Sequence, residues 1–117
     1  MPRTILIVDG NVAKRQSIAR LVEGLGYQTL QTTGVGEAIK QLEQQDPEFV
    51  LLGFELADAP GLEALAQIRE LDSDLPVIML AADLWDGRTA EAMRKGAVAY
   101  LAHPFGADDL RELLGRR

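Results

Sequence analysis

Residues Phe49–Leu65 read FVLLGFELADAPGLEAL. Four consecutive apolar residues, Phe49–Leu52, lead into Gly53, a loop, the Pro60-Gly61 turn and a helical pattern carried by Leu62, Leu65 and Ile68. An unbroken apolar run of this length suits a strand buried on both faces, whereas a sheet wet on one side would alternate. The stretch is therefore one strand–loop–helix unit of a parallel sheet.

The same unit recurs on either side. Apolar runs lie at Ile5–Val8, Val77–Leu80 and Val98–Leu101, with a weaker one at Tyr27–Leu30. Ile18, Leu21, Val22 and Leu25 follow the i, i+3, i+4, i+7 spacing of a helix face. Gly26 then falls where a helix end needs positive φ. Ala38, Ile39 and Leu42 mark a second helix, closed before Pro47. Ala90, Met93 and Ala97 mark a fourth, with Gly96 near its end, and Leu110, Leu113 and Leu114 a fifth. Five strand–helix repeats predict an α/β fold with right-handed crossovers and helices on both faces. Chemistry in such a sheet collects beyond the carboxyl ends of the strands. Those ends are Asp9-Gly10, Gly53–Glu55, Ala81–Asp83 and Ala102–Pro104.

The 117 residues predict one domain, 1–117, able to bury a core without disulfides. Cysteine is absent, which excludes thiolate metal sites and a Cys nucleophile. The opening MPRTILIVDG has only four consecutive apolar residues, too few for a signal peptide or a membrane span. A cytoplasmic protein without membrane contact is the expectation. A net charge of −6 repels phosphate backbones, so no direct nucleic-acid binding is expected.

Placed in order, these fragments resemble the receiver domains of two-component response regulators over almost the whole chain. ILIVDG at Ile5–Gly10 is similar to the family's first strand, Phe49–Leu65 to its third strand and phosphoacceptor loop, PVIML at Pro76–Leu80 to its fourth strand, and AMRKGAVAYLAHPF at Ala92–Phe105 to the segment around its Lys-Pro. The resemblance implies a flavodoxin-like, CheY-like (βα)5 three-layer sandwich with strand order 2-1-3-4-5. It also implies a site in which two acids and an acceptor Asp bind Mg²⁺, a hydroxyl steadies the phosphoryl group and a Lys neutralises it. A trianionic transferring group needs such a hard cation and such donors.

Carried over position by position, the resemblance keeps Asp9 as the first acid. Gly10 stands for the second acid, Gly53 for the phosphoacceptor, Ala81 for the hydroxyl residue and His103 for the Lys. Glycine offers no nucleophile, and one carboxylate is a poor Mg²⁺ site. Asp9 then has two readings, a remaining ligand or a polar strand end near a helix N-terminus, and the loss of its partners favours the second. Gly53 reads as an opening for a ligand or simply as a turn. His103 pairs with Asp9 across the site or caps a polar pocket, and the resemblance implies a cis His103-Pro104 bond. Tyr100 falls at the family's switch aromatic, or is a strand residue with its ring partly packed. Trp85 reads as a contact residue or as a cover over an apolar gap, with the cover preferred. Glu55 and Asp58 are the candidate substitute acceptors, and neither is expected to face Asp9.

The expectation is a pseudo-receiver, not an enzyme and without cofactor or metal: a phosphorylation-independent module for a protein partner or an attached output domain. A homodimer through the fourth helix, fifth strand and fifth helix would draw on Arg88, Glu91, Arg94, Lys95, Asp108, Asp109, Arg111 and Glu112. Their mixed signs suit a self-complementary contact as well as a solvated face. The alternative is a small-ligand binder in the crevice opened by Gly10, Gly53 and Ala81. Gly10-Asn11-Val12 matches neither a dinucleotide fingerprint nor a P-loop, so no phosphate cradle is read there.

Overall fold

A computed structural model describes residues 3–115. Strands and helices alternate: β1 (Thr4–Val8), α1 (Val12–Gly24), β2 (Gln28–Thr32), α2 (Val35–Gln44), β3 (Phe49–Gly53), α3 (Gly61–Leu71), β4 (Val77–Ala81), α4 (Arg88–Arg94), β5 (Ala99–Ala102) and α5 (Ala107–Leu114). All strand pairs are parallel, in the order β2-β1-β3-β4-β5, as expected.

The sheet divides the core in two because side chains alternate along each strand. Leu6 and Val8 of β1 face the layer closed by Ala38 of α2, Leu65 and Ile68 of α3 and Ala92 of α4. Ile5 and Ile7 face the opposite layer, closed by Ile18 and Val22 of α1 and Leu110 and Leu114 of α5. The consecutive apolar runs are therefore two buried faces read through one another. β3 and β4 are buried at every residue, and they hold the middle of the sheet with β1.

Two details differ from the sequence pattern. The weak second run is shifted: β2 covers Gln28–Thr32, an edge strand whose Gln28 and Gln31 reach solvent while Thr32 is buried. In the fourth unit, Ala92 and Ala97 are the buried residues, while Ala90, Met93 and Val98 are exposed. α4 has only seven residues and β5 is the other edge strand, so their outer sides lack a covering layer. Gly26 (φ +98°) and Gly96 (φ +110°) both take the left-handed conformation that ends a helix without a Cβ penalty.

Candidate functional site

β1 and β3 are paired with Val8 opposite Leu52, which brings Asp9 beside Gly53 at the carboxyl edge. Asp9 is only 4% exposed. Its Oδ1 accepts the Asn11 N–H at 2.9 Å, and Asn11 in turn caps α1 by accepting the Lys14 N–H at 2.9 Å. Its Oδ2 receives no hydrogen bond but lies 3.5 Å from the Lys14 ammonium.

The space beside Gly53 is already taken. A Cβ added there would stand 2.6 Å from Asp9 Oδ2. At Gly10 a Cβ would stand 2.9 Å from the Glu55 carbonyl oxygen, which also accepts the Gly10 N–H at 3.1 Å. Both glycines keep negative or extended φ, so what constrains a side chain there is close approach, to backbone at Gly10 and to the Asp9 carboxylate at Gly53, not a left-handed backbone. A cleft of about 390 Å³ opens over these residues, lined by Asp9, Gly10, Lys14, Phe54, Glu55 and Arg88 among others.

The far wall is built on Arg88. Its guanidinium lies 4.4 Å above the Phe54 ring and grips Asp86 through Nε–Oδ1 (2.8 Å) and Nη2–Oδ2 (2.7 Å). It also reaches Glu55 at 3.6 Å. Asp86 accepts the Ala82 N–H at 3.1 Å, so the loop between β4 and α4 is closed on itself. The Arg88 side chain holds the Asp86 carboxyl well below the usual carboxylate range, against the opposing effect of burial.

Several expectations change here. His103 does not pair with Asp9: it is exposed in a second groove of about 430 Å³, edge-on to Phe105 at 5.7 Å and 88°. Its bond to Pro104 is cis, as the resemblance implies. Trp85 does not cover a gap. It is 90% exposed beside Leu84 at 73%, because Asp83 Oδ1 takes the Trp85 N–H at 2.8 Å and turns the loop outward. Tyr100 is 41% exposed on β5 and lines that second groove, as a strand residue partly packed would. Asp58 faces away from Asp9 and accepts the Val35 and Gly36 N–H groups at 2.8 and 3.1 Å, capping α2 from a distant loop. The Gly36 and Val35 donors hold its carboxyl below the ordinary range. Arg88, read as a surface residue of the fourth helix, belongs to the cleft.

Ala81, at the end of β4, is buried with no polar atom to offer. Arg94, Asp108, Asp109 and Arg111 remain on the outer surface, where Arg111 pairs with Asp108 and Asp109 accepts the Gly106 N–H at 2.9 Å. Glu91 and Lys95 pair along α4 at 3.8 Å, and Glu112 lines the second groove. Lys14, Phe54 and Asp86 carry the site's geometry yet were not singled out from sequence. A lysine in the first turn of a helix, where the dipole disfavours cations, was the one available signal for Lys14.

Among the described residues no group of three or more His, Cys, Asp or Glu side chains could hold a metal ion, and no helix is long and apolar enough to cross a membrane. The residues present therefore do not fit the Mg²⁺ that the family resemblance implies, since Asp9 is the cleft's one buried carboxylate contributed by a strand end.

A five-stranded parallel sheet in this order, with its cleft at the carboxyl edge, defines a doubly wound α/β domain. The profile of the response regulator receiver domain matches residues 5–115, and the chain belongs to that family. It is similar to the chemotaxis protein CheY of Listeria monocytogenes, with 34% identity over 94% of this chain and 93% of that protein. It is also similar to the phosphate regulon transcriptional regulatory protein PhoB of Pseudomonas aeruginosa, with 32% identity over 97% of this chain and 49% of the relative. The crystal structure of the receiver domain of the sensor histidine kinase PA1611 from Pseudomonas aeruginosa superposes with a TM-score of 0.89, at 26% identity over 99% of this chain and 97% of that one. That structure carries a magnesium ion in its active-site cleft. The chain is thus a receiver domain of two-component signalling.

Proposed function

We propose that this receiver domain works without phosphorylation, as a protein-interaction module. The observation that carries the reading is Gly53. No nucleophile stands at that strand end, and the Asp9 carboxylate fills the space a side chain would need. Of the two substitute acceptors, Asp58 is committed to capping α2 and Glu55 is paired with Arg88 at the cleft mouth. Gly10 and Ala81 add neither a second carboxylate nor a hydroxyl, and His103 lies outside the cleft.

The output surface is the side of α4, β5 and α5. Leu84, Trp85, Met93, Val98 and Tyr100 are exposed on these elements and the loop before α4, and Leu84 and Tyr100 line one groove there. Trp and Tyr are the side chains most often found to anchor interfaces. Arg94 and Lys95 on α4 and Asp108 and Asp109 on α5 border it, so either a protein partner, an attached output domain or a second copy meets a surface of both signs.

The test is incubation with acetyl phosphate and Mg²⁺ followed by intact-mass measurement, with amide chemical shifts recorded on adding beryllofluoride. No mass increase is expected for the parent or for Gly53→Asp alone, and no shifts at Asp9, Gly53 or Ala81. Stoichiometric labelling of the parent overturns the reading. The cleft's volume favours a second reading, small-ligand binding, since about 300–1,000 Å³ is typical of ligand pockets. Titration with nucleotides separates the two, because only the second predicts saturable shifts around Lys14 and Arg88.

A further inference from the structure

We infer that Lys14 is the resident counter-ion of the cleft, neutralising Asp9 continuously, so that the cleft's charge does not depend on a bound cation. This rests on the proposed phosphorylation-independent function and says how the same site is held in one state.

The argument begins with where Lys14 stands. It lies in the first turn of α1, which contains no acidic residue, and a cation there opposes the helix dipole. The side chain is nevertheless drawn in, with 25% of it exposed, to bring Nζ within 3.5 Å of Asp9 Oδ2. Asp9 needs such a partner. Its side chain is 5% exposed, Oδ1 is satisfied by the Asn11 N–H, and Oδ2 receives no hydrogen bond. A desolvated carboxylate left unpaired is costly.

The other nearby cations are committed elsewhere. Arg15 donates to the Asp9 carbonyl at 3.1 Å and to Gln31, not to the Asp9 carboxylate. Arg88 is held by Asp86 and Glu55. Gly10 and Gly53 bring no further acid, so one ammonium matches one buried carboxylate. The balance is internal to the chain, and neither a divalent cation nor a phosphoryl group is needed to complete it.

A double-mutant cycle on the full chain tests this. Lys14→Met, Asp9→Asn and the double variant are unfolded in urea at neutral pH. Lys14→Met is expected to shift the unfolding equilibrium about tenfold in the parent and less than about twofold in the Asp9→Asn background. Equal shifts in both backgrounds overturn the proposal. Lys14→Arg, which keeps the charge, should recover most of the loss. If Lys14→Met does not fold, the Lys14 side-chain ammonium signal in ¹H–¹⁵N spectra decides: Asp9→Asn should move or abolish it, and an unchanged signal overturns the assignment. Millimolar Mn²⁺ should leave the Asp9 and Gly53 amides of the parent sharp, and selective broadening there also overturns it. Labelling by acetyl phosphate would defeat the proposed function while leaving the cycle's result to stand.

Discussion

The cleft at the carboxyl edge of the sheet and the face formed by α4, β5 and α5 are built on opposite principles. In the cleft, every charged group already has an opposite partner. Lys14 faces Asp9, and Arg88 faces Asp86 and Glu55. At Gly10 and Gly61 backbone approaches backbone closely, and at Gly53 the Asp9 carboxylate takes the adjacent space. On the neighbouring face of α4, β5 and α5, Leu84 and Trp85 stand largely in solvent and Met93, Val98 and Tyr100 are about half exposed. One region is closed by its own chain, and the other is left to be closed by something else. The contrast teaches that a receiver fold can keep its scaffold while the site and the surface carry different constraints.

The largest expected effect tests how tightly the cleft end of β3 is packed. A Cβ at Gly61, the first residue of α3, would collide with the Gly53 carbonyl oxygen and the Phe54 Cα. Backbone cannot move aside as a side-chain tip can. Gly61→Ala should cost about 3 kcal/mol, the upper part of the overpacking range, read from urea unfolding. A loss below about 1 kcal/mol would show the loop to be more yielding than the contacts indicate.

A somewhat smaller loss should follow from rebuilding the acidic cluster. Gly10→Asp with Gly53→Asp places two carboxylates beside Asp9, and both new Cβ atoms meet tight contacts. Like charges crowded together raise the folded state's free energy. About 2 kcal/mol should be lost without Mg²⁺, within the range typical of single-site lesions. Mg²⁺ should then recover stability in the double variant and not in the parent, since only the variant gains ligands. A double variant as stable as the parent without metal would refute the charge argument.

Third in size is the Arg88 clasp. Asp86 has its pKa depressed in the folded state, so its contribution is fully present above the ordinary carboxyl value and is lost as pH falls through and below it. Because the guanidinium reaches solvent, Arg88→Ala should cost no more than about 1 kcal/mol at neutral pH. Below about pH 4 the gap between variant and parent should begin to narrow, because only the parent has the charged pair to lose and its Asp86 stays ionised in the folded state well below the ordinary carboxyl value. Urea midpoints at pH 7 and pH 3 check this, and a gap that widens in acid contradicts it.

The smallest effect belongs to the open face. Trp85 touches little, so Trp85→Ala should change stability by less than about 0.5 kcal/mol while removing partner capture. As the chain's single tryptophan, it also reports on its own surroundings. Its fluorescence should be that of a solvent-exposed indole, strongly quenched by acrylamide, and should become protected on binding a partner. A marked stability loss would place the ring in the fold instead.

Much of the molecule was legible in the sequence because it depends on local order. Apolar runs of four residues, helix-spaced leucines, Gly26 at a helix end and Pro-Gly ahead of α3 fix strand and helix identities without reference to anything distant. The parallel order of the strands followed from their alternation with helices. The identities at the strand ends were equally plain: glycine at 53 carries no nucleophile in any fold. What the sequence could not convey was reach across the chain. Asp58 caps a helix more than twenty positions away, Arg88 leaves its helix face to stack on Phe54, and His103 turns from the cleft towards Phe105. The pairing of Lys14 with Asp9 needed both the register that buries Asp9 and the first turn of α1 that swings the lysine over it. Strand and helix type are set by periodicity along the backbone. The partner of each charge is set by which loops the sheet brings to one edge, and that only the packed tertiary structure decides.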